Sequence, residues 1–557
     1  MSSPVHRAAV AVRHLPATLV GAAASALAQL PIFNRTVVSL DEGQLAAVGH
    51  RLVSGEVLYR DVYTGIFPGI YWLAEALFRL LGTDVLVLRW TQLAVNAVTA
   101  ALLFALVRPL APDRTAWLVP VGYWALLVAS FPAFTMLTYS SLSLVSALGA
   151  LVFVRRYVEG ARVGDGIAAG VLLGLCTLFK QNFGALALVA VFVSALWSRR
   201  EGRLAQTPLW RAFAVPIAAG AAVALVASVR LVASGAWPSF FEATFLTIFA
   251  TQVDAFNQPL PPVFGAHPTG LFVFLYGPGA LFGALMRGDP LASPAIISWA
   301  VRLGYGSAYL ALALVPLLAL RVAHGDSRAT VRVAARVILP FSALFFLGIF
   351  PSAIWSHLAA VYPPLLMVLV ATTSLALVAL HRVSPGAAAL ARGTALVVLA
   401  VLVALTARLE FGTRAAFAEP MLLPSATVRV SRREANLYRA AQDFLTTCAA
   451  EGEPVFVVPD MPLLYVSAGR PNPTPYDLII PGDVREPVIL ERIKAAGVSC
   501  VVLNPSMYVQ FAPFDELFPG LAAYLDDGFE TVRVLEVQGT EWRFLRRTRD
   551  GEAERPS

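Results

Sequence analysis

Two adjacent carboxylates, Asp41 and Glu42, follow the first long apolar segment of the chain. They lie within about two helical turns of its end, and therefore at the edge of a bilayer if that segment crosses one. A carboxylate in this position can take a proton from an incoming hydroxyl group as a general base. Acids beside an apolar segment are also often merely solvated, and Asp41 can equally cap a helix over Glu42–Ser54.

Four basic side chains, Lys180, His357, Arg51 and Arg60, are candidates to bind the phosphate of a lipid-tailed substrate. A cation stabilises phosphate oxygens through charge-assisted hydrogen bonds. Lys180 is the one lysine in residues 1–410, and it could instead snorkel to the interface. His357 could be structural, and the two arginines could simply balance nearby acids.

Polar neighbours of these groups are candidate substrate contacts: Tyr59, Asp61, Gln181 and Asn182. The loop that carries Asp41 has no Asp-x-Asp motif. We therefore predict no metal ion, although Asp61 could help to hold one, and no other cofactor. The loop at 235–268 contains several aromatic residues, which we interpret as an interfacial belt rather than a substrate wall: Trp237, Phe240, Phe241, Phe245 and Phe249.

The composition places these residues in a membrane protein. The 557 residues are 58% hydrophobic and only 14% charged, with mean hydropathy +0.70. This excludes a conventional soluble enzyme, a nucleic-acid-binding domain and a disordered chain. Residues 1–410 contain 27 basic and 15 acidic residues, whereas residues 411–557 contain 15 and 20 in a soluble composition. We predict a membrane domain over 1–410, with the candidate site in its loop 34–89, and a soluble domain over 411–557.

A membrane helix needs about 20 mostly apolar residues. The sequence predicts about eleven, near residues 15–33, 90–107, 116–131, 136–154, 166–180, 183–197, 213–233, 296–320, 337–351, 357–380 and 393–409.

Arginine clusters in alternate loops indicate the orientation, because cytoplasmic loops are rich in basic residues. The clusters are Arg155–Arg162, Ser198–Arg203 and Arg321–Arg336. They share one side of the membrane if the N-terminus is cytoplasmic, and an odd number of helices then places residues 411–557 outside. We expect the cytoplasmic membrane of the cell as the location.

Two apolar segments do not fit this count. Ile70–Leu81 is short and contains Glu75 and Arg79, so we predict an amphipathic helix at the outer interface. Leu271–Met286 is interrupted by Gly277–Pro278–Gly279, so we predict an interfacial or re-entrant piece within an external loop at 235–294.

The tail has an α/β pattern. Short β-branched runs predict strands at Pro454–Pro459, Cys500–Leu503 and Thr531–Val537, and helical spacing predicts Arg433–Ala449 and Pro487–Ala496. With no glycine-rich phosphate loop, a lid or docking domain is the better interpretation. Cys448 and Cys500 could form one disulfide or remain two free thiols.

The order of these features resembles the GT-C superfamily of membrane glycosyltransferases, nearest to its protein mannosyltransferase and aminoarabinose transferase branch. The matching residues are Asp41–Gly43, Gly55–Asp61, Phe67–Trp72, Gly82, Arg89, Leu178–Asn182, His357 and Tyr362–Pro364.

The resemblance implies a helical polytopic fold and a sugar donor linked to a polyprenyl phosphate. The acceptor would be a glycan, lipid or protein on the outer face, with no nucleic acid involved. Asp41 matches the catalytic aspartate, with Glu42 beside it, and would act as general base in one inverting displacement. Many relatives carry Lys-Pro-Pro where this chain has Gly65–Gly69, so Arg60, Lys180 or His357 would replace that lysine.

Other function classes share part of this pattern. A polytopic transporter or lipid flippase without transferase chemistry would more often show two related halves with helices broken at matching positions. A scaffold with an external docking tail would not depend on Asp41.

A fusion reporter tests the predicted orientation. A reporter that is active only in the cytoplasm should be silent when fused after Ser557, because the tail is expected outside. A bright fusion would mean that Leu271–Met286 crosses the membrane or that one of the eleven segments does not.

Overall fold

A computed structural model describes the protein over residues 4–38, 40–160, 162–198, 209–253, 256–264, 270–290, 292–324, 328–423, 426–507, 511–537 and 539–548. The predicted basic loop Ser198–Arg203 therefore lies, after Ser198, outside the described residues.

The described residues are mostly helical. The helices are α1 (Pro4–Gln29), α2 (Asp41–Val53), α3 (Gly69–Leu81), α4 (Val85–Val107), α5 (Asp113–Ala116), α6 (Leu118–Ala129), α7 (Tyr139–Gly160), α8 (Val163–Phe179), α9 (Gln181–Ser198), α10 (Leu209–Ala233), α11 (Trp237–Phe241), α12 (Leu271–Tyr276), α13 (Gly279–Met286), α14 (Pro294–His324), α15 (Ala329–Phe346), α16 (Trp355–Val361), α17 (Pro363–Val383), α18 (Pro385–Ala416), α19 (Arg432–Cys448), α20 (Leu463–Ala468), α21 (Glu486–Ala495), α22 (Phe514–Leu517) and α23 (Pro519–Gly528). A π-helix follows α11 at Glu242–Gln252.

The chain forms two compact units. The first contains residues 1–33, 91–227 and 258–413, and the second contains residues 34–90, 228–257 and 414–557. The loop that carries Asp41 thus belongs to the same unit as the tail. The predicted division into folding domains at residue 410 stays a prediction.

Eight helices of the described chain are long and apolar enough to cross a membrane: α4, α7, α9, α10, α14, α15, α17 and α18. The predicted count of eleven is not confirmed, because three of the predicted segments contain shorter apolar helices. Ala17–Gln29 is the apolar part of α1, α6 has 12 residues, and Val163–Phe179 has 17. The multi-pass membrane fold itself is confirmed.

Buried amides join several membrane helices of the first unit. Asn96 on α4 donates to Gln29 Oε1 at 2.6 Å and to the Phe134 carbonyl at 3.0 Å. Gln92, one turn earlier, donates to Asn96 Oδ1 and to Ser141 Oγ. Such bonds between membrane helices contribute about 1 kcal/mol each, and they fix the start of α7 against α4.

The interrupted segment Leu271–Met286 consists of two short helices, α12 and α13, of six and eight residues. The helix stops at Gly277, where an added Cβ would lie 2.4 Å from the Val273 carbonyl oxygen. Neither helix has membrane length, as the broken sequence predicted.

The second unit contains a four-stranded sheet from the tail. Its order is β3 (Phe456–Val458), β4 (Cys500–Leu503), β6 (Thr540–Arg547) and β5 (Phe529–Val537), with β3 and β4 parallel and the other pairs antiparallel. A separate hairpin pairs β1 (Glu419–Leu422) with β2 (Thr427–Val430). The predicted α/β tail is confirmed, but β6 and the hairpin were not predicted.

Two local features stabilise the tail. Ser431 and Glu434 form a capping box at the start of α19, which satisfies two free backbone N–H groups. A disulfide joins Cys448 at the end of α19 to Cys500 at the start of β4. This resolves the alternative between a bridge and two free thiols.

Candidate active site

Asp41 is the first residue of α2, and its side chain is exposed. It makes no capping hydrogen bond, and no described residue forms a hydrogen bond or ion pair with its carboxylate. The surrounding protein nevertheless desolvates this group and raises its pKa from 3.8 to about 6. Asp41 is thus an exposed carboxylate with a raised pKa and no partner among the described residues, which suits a general base.

Glu42 has the opposite environment. Its side chain and that of Arg89 are each only 1% exposed. Arg89 Nε donates to Glu42 Oε1 at 2.6 Å, and Arg89 Nη2 contacts Glu42 Oε2 and donates to the Thr36 carbonyl, both at 2.5 Å. The catalytic role predicted for Glu42 does not fit this burial, because no acceptor can reach the carboxylate. Glu42 instead anchors the start of α2 to the first turns of α4.

Helix α2 packs closely on both sides because it carries glycines at its contacts. A Cβ on Gly43 would lie 3.3 Å from Pro462 Cγ, just before α20, and one on Gly49 would lie 2.9 Å from the Phe78 ring of α3. The helix that carries Asp41 is therefore held between α3 and a segment of the tail.

Arg51, predicted to bind phosphate, is instead occupied by carboxylates. Its Nη1 pairs with Asp477 Oδ1 at 3.0 Å, and its Nε and Nη2 bind Glu56. Asp477 also accepts a hydrogen bond from Asn472 at 2.9 Å. Arg51 consequently links α2 to the tail across 426 residues of sequence.

Tyr59, Arg60 and Asp61 shape the turn that follows. Tyr59 has a positive φ of 69°, and its hydroxyl donates to the Ile66 carbonyl at 2.6 Å. Asp61 accepts from the Val57 backbone N–H at 2.8 Å and pairs with Arg60, also at 2.8 Å. The substrate and phosphate contacts predicted for these residues remain predictions, although their polar atoms already bond within the loop.

Lys180 stands at a one-residue break between α8 and α9, in the first unit. Its backbone is extended there, and its Nζ donates to Ser140 Oγ at 3.0 Å. The ammonium also lies 4.0 Å from the ring centre of Phe183 and 5.2 Å from that of Tyr139. No carboxylate of the described residues pairs with it, so this half-buried cation has capacity for an anionic ligand.

Gln181 and Asn182 begin α9 directly after Lys180 and are half-buried. Asn182 Oδ1 accepts from the Phe183 backbone N–H at 2.9 Å. The Gln181 amide has no hydrogen bond to a described residue. Both side chains stay predicted substrate contacts.

His357 lies in the first unit within electrostatic range of Lys180. Its Nδ1 donates to the Ser352 carbonyl at 2.6 Å, because a carbonyl can only accept, and its Nε2 remains as a second polar atom. Further along the chain, Tyr362 bonds to Ser307 at 2.7 Å, and Pro363 begins α17. The structure thus groups Lys180 with His357 and, in the other unit, Asp41 with Glu42, Arg51 and the 59–61 turn.

The residues that contact Lys180 and Arg51 could not be predicted from the sequence. Ser140 and Tyr139 contact Lys180, and Asp477 pairs with Arg51. Nothing in the local sequence around these residues indicates either role.

No group of three or more His, Cys, Asp or Glu side chains that could hold a metal ion occurs in the described part of the chain.

Comparisons with known proteins place this architecture. A family model described as dolichyl-phosphate-mannose-protein mannosyltransferase matches residues 67–233. ArnT from Cupriavidus metallidurans in the apo state is 15% identical and covers 96% of this chain and 98% of its own, with a TM-score of 0.54. The chain has the GT-C fold. ArnT bound to undecaprenyl phosphate is 14% identical at the same coverages, with a TM-score of 0.52. No curated protein sequence matches the chain.

The GT-C fold confirms the resemblance found in the sequence, and the matched region runs from Phe67 to the end of α10. It includes Lys180 but not Asp41. The assignment of Asp41 therefore rests on its local geometry and on the short motif around it.

The buried link between Arg51 and Asp477 can be tested by mutation. Asp477→Ala should lower the thermal unfolding midpoint of the purified protein, because removing one partner of a buried ion pair costs about 3–5 kcal/mol. Arg432→Ala is the matched control: Arg432 is 81% exposed beside Glu419, so its loss should cost about 1 kcal/mol or less. Equal shifts in the two variants would contradict a structural link between α2 and the tail.

Proposed function

We propose that this protein transfers a sugar from a polyprenyl-phosphate-linked donor to an acceptor hydroxyl on the outer face of the membrane, with inversion at the anomeric carbon. Asp41 acts as the general base. The acceptor belongs to a glycan, a lipid or a protein.

The observation that carries the proposal is the environment of Asp41. Its carboxylate is exposed and unpartnered among the described residues, and its pKa of about 6 lies near neutral pH. A base with a pKa close to the working pH is mostly ionised and still accepts a proton effectively. The neighbouring Glu42 forms a buried ion pair with Arg89 and acts as a positioning residue.

Two observations support a polyprenyl-phosphate-linked donor: the fold of the protein and the charge of Lys180. ArnT of the same fold binds undecaprenyl phosphate. In this chain Lys180 is a half-buried ammonium without a carboxylate partner among the described residues, and His357 is near it. We assign the phosphate of the donor to Lys180, with His357 as a second contact, in place of the lysine that Gly65–Gly69 lacks.

The reaction is a single displacement. The acceptor oxygen attacks the anomeric carbon from the face opposite the phosphate while its proton passes to Asp41. The bond from that carbon to the phosphate oxygen breaks, and the polyprenyl phosphate leaves with the electron pair. A cation at the phosphate stabilises the negative charge that develops on the leaving group.

The proposed side of the membrane has independent support. The tail contains the Cys448–Cys500 disulfide, and disulfides persist in oxidising compartments outside the cytoplasm. The arginine-rich loops favour the same orientation, with a cytoplasmic N-terminus in the cytoplasmic membrane.

Asp41→Asn tests the base. The amide keeps the size of the side chain but cannot accept the proton, so turnover of a lipid-linked sugar should fall about 10²–10⁴-fold. In the wild type, turnover should decline as the pH drops below about 6, because Asp41 becomes protonated. The measurement is release of polyprenyl phosphate against pH, with protein amount and donor binding as checks.

Glu42→Gln serves as the contrast. It should lower the amount of folded protein, because it leaves Arg89 buried without its counter-ion. Turnover per folded molecule should fall less than in Asp41→Asn. Near-normal turnover in Asp41→Asn would refute the transferase mechanism and favour a transporter.

Lys180→Ala tests the donor phosphate. It should raise the KM for the lipid-linked sugar, and Lys180→Arg should recover part of the loss because it keeps the charge but changes its shape. Lys494→Ala is the matched control, since that lysine packs 4.8 Å from the Tyr524 ring in the tail. An unchanged KM in Lys180→Ala would mean that Lys180 only snorkels to the interface, and Arg60 would become the next candidate for the phosphate contact.

A further inference from the structure

Two arginines share one buried carboxylate in the second unit. Arg79 Nη2 lies 2.8 Å from Glu75 Oε1, and Arg230 Nη2 donates to Glu75 Oε2 at 2.5 Å. The Glu75 side chain is only 6% exposed, whereas Arg79 and Arg230 are 55% and 49% exposed. One carboxylate thus holds two guanidinium groups side by side, and the cluster carries one net positive charge.

Both guanidinium groups retain unused donors. Arg79 has one other partner in the described chain, the Leu52 carbonyl at 3.5 Å from Nη2, so its Nε and Nη1 are available. Arg230 hydrogen-bonds only to Glu75 among the described residues, while its planar group lies 4.5 Å from the centre of the Trp72 ring. The ring and the carboxylate orient Arg230, and its side chain, 49% exposed, keeps N–H groups without a partner among the described residues.

The positions of Arg79 and Arg230 along their helices indicate how deep the two side chains lie in the membrane. Arg230 is less than one turn from the end of the membrane-length segment Phe213–Ala233, of which only 11% is buried within the protein. A long apolar helix with so little burial is expected to face lipid. Val229 and Val232 beside it, and Leu80 and Leu81 beside Arg79, are all exposed. Apolar side chains next to arginines and Trp72 at a helix end are typical of the level of the lipid headgroups.

We propose that Arg79 and Arg230 form a binding site for the phosphate of a bilayer phospholipid. Two fixed guanidinium forks match the several oxygens of a phosphate diester, and the flanking exposed side chains receive the acyl chains. The open, half-exposed arrangement fits a lipid that exchanges with the bilayer rather than a donor held for reaction. The proposal does not depend on the function proposed above.

Native mass spectrometry of the full-length protein in detergent tests the site. Phosphatidylglycerol should remain bound under mild activation, whereas diacylglycerol, which lacks the phosphate, should not. Arg79→Gln keeps the Arg230–Glu75 pair and should reduce the retained phosphatidylglycerol about tenfold, since charge-assisted hydrogen bonds are lost. Arg408→Gln should have no effect, because that exposed arginine belongs to a different ion pair, with Asp289 at 3.0 Å.

A triple variant removes the whole cluster without leaving a buried charge. Arg79→Gln, Arg230→Gln and Glu75→Gln together should abolish the retained phosphatidylglycerol, while the thermal unfolding midpoint in lipid-free detergent checks that the protein is folded. Undiminished retention in the folded triple variant would overturn the proposal. So would complete displacement of phosphatidylglycerol from the wild type by equimolar polyprenyl phosphate, because the site would then belong to the donor lipid.

Discussion

The buried ion pair between Glu42 and Arg89 is the contact on which the rest of the candidate site depends. Burying two charges costs several kcal/mol per ion. Hydrogen bonds offset this cost, because Arg89 donates to both carboxylate oxygens of Glu42 and to the Thr36 carbonyl. Arg89 lies in the first turns of α4, so the pair fixes the start of α2 relative to those turns. The orientation of Asp41 follows from this single constraint.

Two identical functional groups, one residue apart, thereby acquire different chemistry. Successive residues on a helix point about 100° apart, so the face that buries Glu42 leaves Asp41 exposed. Desolvation raises the pKa of Asp41. Glu42 forms a buried ion pair with Arg89. The difference in environment is a property of the helix and its partners, and neither residue type alone determines it.

Local patterns were sufficient for much of the fold. Apolar length indicated the membrane helices, and β-branched runs indicated β3, β4 and part of β5, because these signals lie within each segment. The partners of Glu42 and Arg51 could not be predicted, since they are 47 and 426 residues away in sequence. Strand β6 was missed because its apolar residues, such as Trp542 and Phe544, alternate irregularly with arginines. Lys180 was identified because a lone lysine among apolar residues is conspicuous by itself.

The order of the chain has a consequence for biosynthesis. The unit that holds Asp41 is assembled from residues 34–90, 228–257 and 414–557, so its first and last segments are separated by most of the membrane helices. During translation the early loop leaves the ribosome long before Pro462 and Asp477, its contacts in the tail, are made. A nascent or prematurely terminated chain can therefore insert its helices into the bilayer while the loop lacks half of its support. Completion of the polypeptide, rather than insertion, is the step that completes the contacts of this loop.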